Sequence, residues 1–285
     1  TINARNTIFS HKVAPIQISF LGYPGTTGQD GIDYIIADKF VIPEQHQNFY
    51  SEKIIYLTNC YYPRDNLRNI GSKKYIRDDY KIPKNSFVFC SFNNSYKITE
   101  EEFKIWMTIL NKVKNSTLLL LASNKQIKSN LTIEIKKNNV DISRVVFLDK
   151  IKFEDHLARH NLADLFLDSF NVNAHTSAVD ALWTGLPILT KVGNSFASRI
   201  CGSLLKYFDL EDLITNTSQE YLNKAVELGT NSDKYKKIKE KITNSKNVER
   251  FFNTKNYTLN LEKAYKKVHQ MRINNNIFSN VNIKD

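Results

Sequence analysis

Between residues 86 and 207 the chain alternates short, almost wholly apolar runs with longer stretches in which apolar residues recur every three or four positions. Residues 86–92, 117–122, 144–148, 163–167 and 186–190 are runs of strand length with too few polar positions to leave a face in water. Between them, 100–113 carries Phe103, Trp106, Met107 and Leu110 on one helical face, and 130–138 is a polar helical stretch. Residues 153–161 form a further helix, 175–185 place Val179, Leu182 and Trp183 on an inner stripe, and 195–207 complete the series. Strands buried on both faces, each followed by a helix, predict an α/β fold with a parallel sheet covered on both sides.

The flanks are less regular. Residues 15–20 alternate as a strand does, and 21–28 hold three glycines and a proline, a tight turn whose backbone can approach a ligand closely. No Gly-Lys-Ser/Thr follows, so this is not a Walker loop. Residues 33–37 and 53–57 are two more strands of a small, incomplete α/β unit. From 62 to 85 the sequence is polar and charged, punctuated by Pro63, Gly71 and Pro83, and reads as a linker with a domain boundary at 82/83. Two or three Lys-rich helices are expected between 219 and 269, and the Asn-rich last dozen residues read as frayed. The expected units are 1–82, the end of one lobe; 83–250, a ligand-binding lobe; and 251–285, a C-terminal helix and tail.

Composition narrows the function. With 285 residues, 41% hydrophobic and 12% aromatic, the chain can bury one large or two modest cores and is not of the disordered type. The net charge of +11 is spread over stretches such as 233–246, among Asn, Ser and Glu. Such diffuse charge steers anions without specifying them, so no nucleic-acid partner is expected. No apolar run nears the roughly 20 residues that span a bilayer, so no membrane partner is expected either. Cys60, Cys90 and Cys201 lack paired spacing, which favours reduced thiols in a cytoplasmic-type compartment. Residue 1 is Thr, so the chain is expected to be processed or part of a longer one.

The stretch 171–185 carries the candidate chemistry. A strand hands over to a helix at His175, Thr176 and Ser177, where unpaired backbone N–H groups and the positive end of the helix dipole favour phosphate. Asp180 lies one turn deeper on the same face, placed to accept hydrogen bonds from ribose hydroxyls. Spacing alone equally fits an ordinary helix cap beside a loop histidine. In parallel sheets ligands sit at the carboxyl ends of strands, which here selects loops 92–97, 149–156, 168–177 and 190–195.

Five segments in these regions, APIQISFLGYPGTTG, FCSFNNSYKI, DHLARHNLAD, HTSAVDALWTG and FNTKNYT, resemble successive motifs of the catalytic region of the O-linked N-acetylglucosamine transferases and their SPINDLY-type relatives, glycosyltransferase family 41. The resemblance runs from about residue 3 to 265. It implies a GT-B fold, with a Rossmann-like donor lobe and the end of a second α/β lobe. By this resemblance Lys97 contacts the diphosphate and stabilises the leaving group, and Tyr96 lies near the reaction centre. Asn94 replaces a nucleotide-contacting glutamine with a shorter side chain. His156 is associated with the uracil ring and Arg159 supports it. His175, Thr176, Ser177 and Asp180 form the donor helix, Ser177 standing where the family has a second threonine. Leu21, Gly22, Pro24 and Thr26 face sugar and acceptor from the other lobe. Phe153 stands where the family often has a uridine-contacting lysine, with Lys152 beside it.

The implied activity is inverting, metal-independent transfer of N-acetylglucosamine from UDP-GlcNAc to Ser/Thr hydroxyls of proteins. No Asp-x-Asp or carboxylate cluster marks a metal site, no cofactor is expected beyond the donor substrate, and no residue is identified as general base. Protein O-fucosylation from GDP-fucose and protein glucosylation are the near alternatives; a nucleotide-sugar-binding module without turnover is the alternative of another class. The family's segment ahead of residue 4, and the TPR repeats that usually precede it, are not in the sequence, which shows no 34-residue period. These residues are therefore expected to be a piece of a larger enzyme with weak activity alone. Residues 62–85 are short, as in bacterial-type members.

Overall fold

The computed structural model describes residues 5–275 and 278–284. Strands β1 (Ile18–Ser19), β2 (Tyr34–Ala37) and β3 (Lys53–Tyr56) come first. They are followed by β4 (Phe87–Ser91), α1 (Glu100–Lys112), β5 (Ser116–Leu121), α2 (Lys125–Lys137), β6 (Val145–Leu148) and α3 (Phe153–Ala158). Next are β7 (Leu165–Leu167), α4 (Thr176–Trp183), β8 (Ile188–Lys191), α5 (Ile200–Tyr207) and β9 (Ile214–Thr215). The chain continues through α6 (Ser218–Thr230), α7 (Ser232–Thr243), α8 (Ser245–Phe251), α9 (Thr254–Asn275) and β10 (Val281–Asn282).

The apolar runs pair as the pattern requires. A six-stranded sheet in the order β6-β5-β4-β7-β8-β9 is parallel throughout, and a four-stranded parallel sheet takes the order β1-β2-β3-β10. In the larger sheet the order reverses between β4 and β7, where Phe89 pairs with Leu165 and Cys90 with Phe166. That is the Rossmann arrangement, and the reversal opens a crevice outside the carboxyl ends of those two strands. Phe89 and Met107 are fully buried, each contributing roughly 1.5–3 kcal/mol. Helix α1 starts on a capping box, Thr99 with Glu102, and buries the predicted face.

Several boundaries move. The helix expected over 153–161 tightens into a 3-10 turn at Arg159–Leu162, and that over 195–207 begins with a 3-10 turn at Phe196–Ser198. The strand expected over 15–20 shrinks to two residues beside Leu21 and Gly22, whose positive φ values of 58° and 84° break the extended chain. Four helices, α6 to α9, replace the expected two or three.

The tail is a larger correction. Within the last dozen residues, 276, 277 and 285 lie outside the described ones, but Val281–Asn282 pairs with β3, and Val281 and Ile283 are buried. Asn280 Oδ1 accepts the Ile54 amide at 2.8 Å. A polar composition hid two alternate apolar positions that a neighbouring strand edge captures.

The segment 62–85 is likewise no free linker. Its Gly71 amide donates to Glu154 O at 2.9 Å. Arg77 reaches Leu162 O, Ser86 O and the Asp164 carboxylate, and Asn161 donates to Tyr75 O. A Cβ on Gly71 would stand 3.0 Å from Glu154 O, which is why the chain can lie so close only as glycine. Several polar groups of this segment thus bond to protein, while others such as Lys73, Lys74, Asp78 and Lys84 stay exposed.

A seam of buried polar groups joins the lobes. Asp38 Oδ1 accepts the Phe40 and Val41 amides at 2.9 Å, and Oδ2 accepts the Tyr61 amide at 3.0 Å and the Ser203 hydroxyl of α5 at 2.6 Å. Arg64, also buried, places its guanidinium 4.8 Å, 4.9 Å and 5.5 Å from the ring centres of Tyr207, Phe251 and Tyr257. Tyr257 of α9 donates to Tyr61 O at 2.7 Å, and Thr254 to Arg64 O at 2.8 Å, so the C-terminal helix returns to the end of the first lobe. Cys60, Cys90 and Cys201 are free and buried, and burial pushes their thiols up, away from reactive thiolate. Among the described residues no helix is long and apolar enough to cross a membrane.

Asp38→Ala should therefore strip four donors of their acceptor and cost about 3 kcal/mol or more. Asp38→Asn, which keeps an oxygen, should lose less. Equilibrium urea unfolding measures both; a loss under about 1 kcal/mol for Asp38→Ala would show that the seam does not depend on this carboxylate.

Candidate active site

The crevice at the sheet's reversal is organised by one carboxylate. Asp168 follows β7 and has no exposed surface. Its Oδ1 accepts Asn93 Nδ2 at 3.0 Å and the Ser169 and Ala174 amides at 2.8 Å and 2.7 Å, while Oδ2 accepts Thr190 Oγ1 at 2.7 Å. The loop after β7 is thus tied to the ends of β4 and β8. Asn173 adds a bond from Nδ2 to Ser169 O at 2.8 Å, and Glu102 accepts the Phe170 amide at 2.7 Å. Burial pushes the Asp168 carboxyl up, against the pull of its hydrogen bonds and of the Lys97 charge.

Lys97 ends the turn Ser95–Lys97 and is half-buried. Its Nζ donates to Asn173 O at 3.1 Å, two residues before His175. Burial lowers its pKa, and Asp168 opposes that shift. At the start of α4 the Ala178 and Val179 amides bond to His175 O, leaving those of Thr176 and Ser177 as the unpaired first-turn donors. Ammonium and helix terminus therefore belong to one loop surface. Burial first, then the Lys97 charge, depresses His175 to about 4, and its Nε2 is buried without a partner.

His156 and Arg159 form a second cluster. Arg159 is 2% exposed, so it is not a solvated helix arginine. Its Nε donates to His156 Nδ1 at 3.1 Å and its Nη1 to Asp149 O at 2.8 Å. The neutral imidazole therefore carries its proton on Nε2, as a donor. Burial and the neighbouring guanidinium hold His156 down to about 4. Its ring meets Phe92 edge-on at 5.1 Å, and His160 stacks on Phe92 at 4.9 Å.

On the facing lobe, Leu21, Gly22 and Pro24 line a cleft of about 240 Å³ whose other wall includes Tyr62, His175 and Thr176. The turn after β1 and the first turn of α4 thus look at each other across the lobes.

Four of the expected residues sit differently. Thr26 turns away from this cleft, bonding Glu52 Oε2 at 2.6 Å while Thr27 takes Oε1, so it shapes the turn. Tyr96 is 82% exposed and accepts Asn94 Nδ2 at 3.5 Å, and Asn94 is exposed too, so both side chains face water. Asp180 is 5% exposed and ion-paired through Oδ1 to Arg68. Burial raises its carboxyl to about 6 against that pairing, and it stays ionised at neutral pH. Arg68 comes from the stretch read as a linker, as does Tyr62, whose hydroxyl lies 2.7 Å from Thr176 Oγ1. Neither had a signal in the pattern. Asp168 had one, a charge closing an apolar run; His160, a helix histidine, had none.

His156 and His175 stand at about 4 when folded, against about 6.5 unfolded. A histidine held below its unfolded value supports the fold fully above about 6.5 and loses that support as the pH falls toward the folded value. Each should cost about 1–2 kcal/mol at pH 5, discounted for partial solvent contact. Urea midpoints at pH 7 and pH 5 check this: that of His156→Gln should drop less between the two than that of the unaltered chain. Equal drops would place this ring in water.

The model of the family described as Glycosyl transferase family 41 matches residues 1–74 and 72–261. An Arabidopsis thaliana protein named probable UDP-N-acetylglucosamine–peptide N-acetylglucosaminyltransferase SEC is 35% identical over 274 residues, covering 94% of this chain and 28% of its own length. A Solanum lycopersicum SPINDLY protein is 27% identical over 93% of the chain and 29% of its own. The chain thus spans under a third of these relatives. Among solved structures, a Thermobaculum terrenum O-GlcNAc transferase mutant superposes with a TM-score of 0.81 at 26% identity, over 91% of this chain and 49% of that one. A sucrose-phosphate synthase from Thermosynechococcus elongatus, at 14% identity and a TM-score of 0.59 over 84% of this chain and 59% of that one, shares the fold. With its parallel Rossmann-like sheet, its second α/β lobe and these matches, the chain belongs to glycosyltransferase family 41.

Proposed function

We propose that these residues form the donor-binding part of a glycosyltransferase that moves N-acetylglucosamine from UDP-GlcNAc to Ser/Thr hydroxyls of proteins, with inversion and without a metal ion. The observation that carries this reading is the bond from Lys97 Nζ to Asn173 O, which sets an ammonium beside the first turn of α4. The names of the relatives support the choice of sugar, nucleotide and peptide acceptor.

In this reading the pyrophosphate lies on the Thr176 and Ser177 amides, and Lys97 neutralises the charge that builds as UDP departs. A hydroxyl oxygen bonds to the anomeric carbon from the face opposite the phosphate as the bond from that carbon to the phosphate oxygen breaks; UDP leaves with that bond's electron pair and the hydroxyl proton passes to water. His156, donating from Nε2 and oriented by Arg159, faces the base. Arg68 holds one oxygen of Asp180, and the ribose hydroxyls take the other. The turn at Leu21, Gly22 and Pro24 closes over the sugar. Its approach to His175 and Thr176 favours a site shared by both lobes.

Two measurements test this. Lys97→Ala should lower the rate of UDP release from UDP-GlcNAc by roughly a hundred- to a thousandfold while UDP still binds. Release that is absent in the unaltered chain and in the variant alike would favour a binding module without turnover. In a thermal-shift panel, UDP-GlcNAc at about a hundred times its dissociation constant should raise the melting temperature by on the order of 5 °C. UDP-glucose and GDP-fucose should shift it less; a larger shift with GDP-fucose would replace the proposed donor by that of the SPINDLY branch.

A further inference from the structure

A second cavity, of about 1060 Å³, opens on the other side of the seam and shares no lining residue with the cleft at His175. It lies outside the carboxyl ends of β2, β3 and β10, represented by Lys39, Asn59 and Lys284. In parallel sheets that is where ligands bind. Its far wall is α5 with the last turn of α8, and the buried Ser203 and Cys60, which touch each other at 3.4 Å, belong to the seam that divides it from the donor crevice.

The lining is strongly cationic. Lys39, Arg199, Lys206, Arg250 and Lys284 face it, against the two carboxylates Asp209 and Glu211. Of these acids, Asp209 is held by Arg250 at 2.7 Å. Among the described residues, Lys39, Lys206 and Lys284 have no carboxylate partner. Unpaired lysines usually stand out from a convex surface, where water screens them. Here they line one concavity, which concentrates anions.

The wall is rigid where the charge is densest. Arg199 donates Nε to Phe40 O at 2.8 Å and Nη1 to Gly193 O at 3.0 Å, and its guanidinium stacks 4.9 Å from the Phe40 ring. Lys206 lies 5.9 Å from the same ring, and a Cβ on Gly202 would meet that ring at 2.5 Å. Arg199 is therefore placed by backbone bonds and close packing. Of the three lining rings, Phe40 is covered by Arg199 and Lys206 and Tyr207 by Arg64 and Arg250, while Tyr56 is buried. Recognition of a base needs an open ring to stack on, which disfavours nucleotides and nucleic acid here.

We propose that this cavity is a binding site, separate from the donor crevice, for a ligand that carries clustered phosphate groups and no nucleobase. Arg199 and Arg250 supply the fixed part of the cradle, and Lys39, Lys206 and Lys284 the adjustable part. The inference does not rest on the proposed transferase activity.

The test is calorimetric titration of the Lys97→Ala chain, with excess UDP present, by inositol hexakisphosphate and by inorganic tripolyphosphate. One site should remain. Lys39→Glu with Lys206→Glu should weaken it by roughly tenfold or more, whereas Lys125→Glu with Lys236→Glu, on exposed faces elsewhere, should not. If the charge reversals misfold, Lys39→Gln with Lys206→Gln carries the same comparison. Phosphatidylcholine vesicles doped with phosphatidic acid form a second arm: loss of vesicle binding on the same substitutions assigns the phosphate to a lipid headgroup, and binding of the soluble probes alone assigns it to a free ester. Competition by UDP, equal loss in both lysine pairs, or equally tight binding of polyglutamate would overturn the proposal.

Discussion

The buried carboxylate of Asp168 is the constraint on which the crevice depends. A charge without solvent access is tolerated only when every lone pair is occupied, and here four donors from three places occupy them: Asn93 after β4, the loop's own Ser169 and Ala174 amides, and Thr190 of β8. Satisfying that one group fixes the path of the loop that leads into α4. It also fixes Asn173 O, and through it Lys97. The proposed pyrophosphate site needs donors that do not reorganise as charge develops, a condition that a loop tied to the ends of β4 and β8 meets.

The same logic holds the lobes together. Asp38 and Arg64 are buried groups whose partners lie on separate stretches of chain: Tyr61 and Ser203 for the first, Tyr207, Phe251 and Tyr257 for the second. Helix α9 and strand β10 carry the chain's end back to the first lobe. The relation between the turn at Leu21 and the start of α4 is thus set by specific polar bonds as well as by apolar contact. Two concavities result, one on each side of this seam.

Residues 62–85 show how a polar segment can be structural. Arg68, Gly71, Tyr75 and Arg77 each bond to the lobe of the six-stranded sheet, and Tyr62 touches the Thr176 hydroxyl of α4. With no apolar period, a segment like this has no pattern to betray where it packs. Its contacts are to backbone carbonyls and carboxylates that only the folded lobe presents.

The sequence by itself determined the layered α/β architecture, because β4 to β8 bury both faces and must therefore be apolar throughout, while helices such as α1 bury one stripe and must repeat at helical spacing. It also located the strand-to-helix turn at His175, Thr176 and Ser177, and the resemblance of short motifs put forward Lys97, His156 and Arg159 as candidate site residues. Tertiary structure alone decided the rest: that Arg68 pairs with Asp180, that Thr26 turns to Glu52, that Tyr96 faces water, and that Val281 joins a sheet. The contacts among these join residues 26 to 226 positions apart. Periodicity records what a residue faces on its own element, and carries no trace of a partner that arrives from elsewhere in the chain.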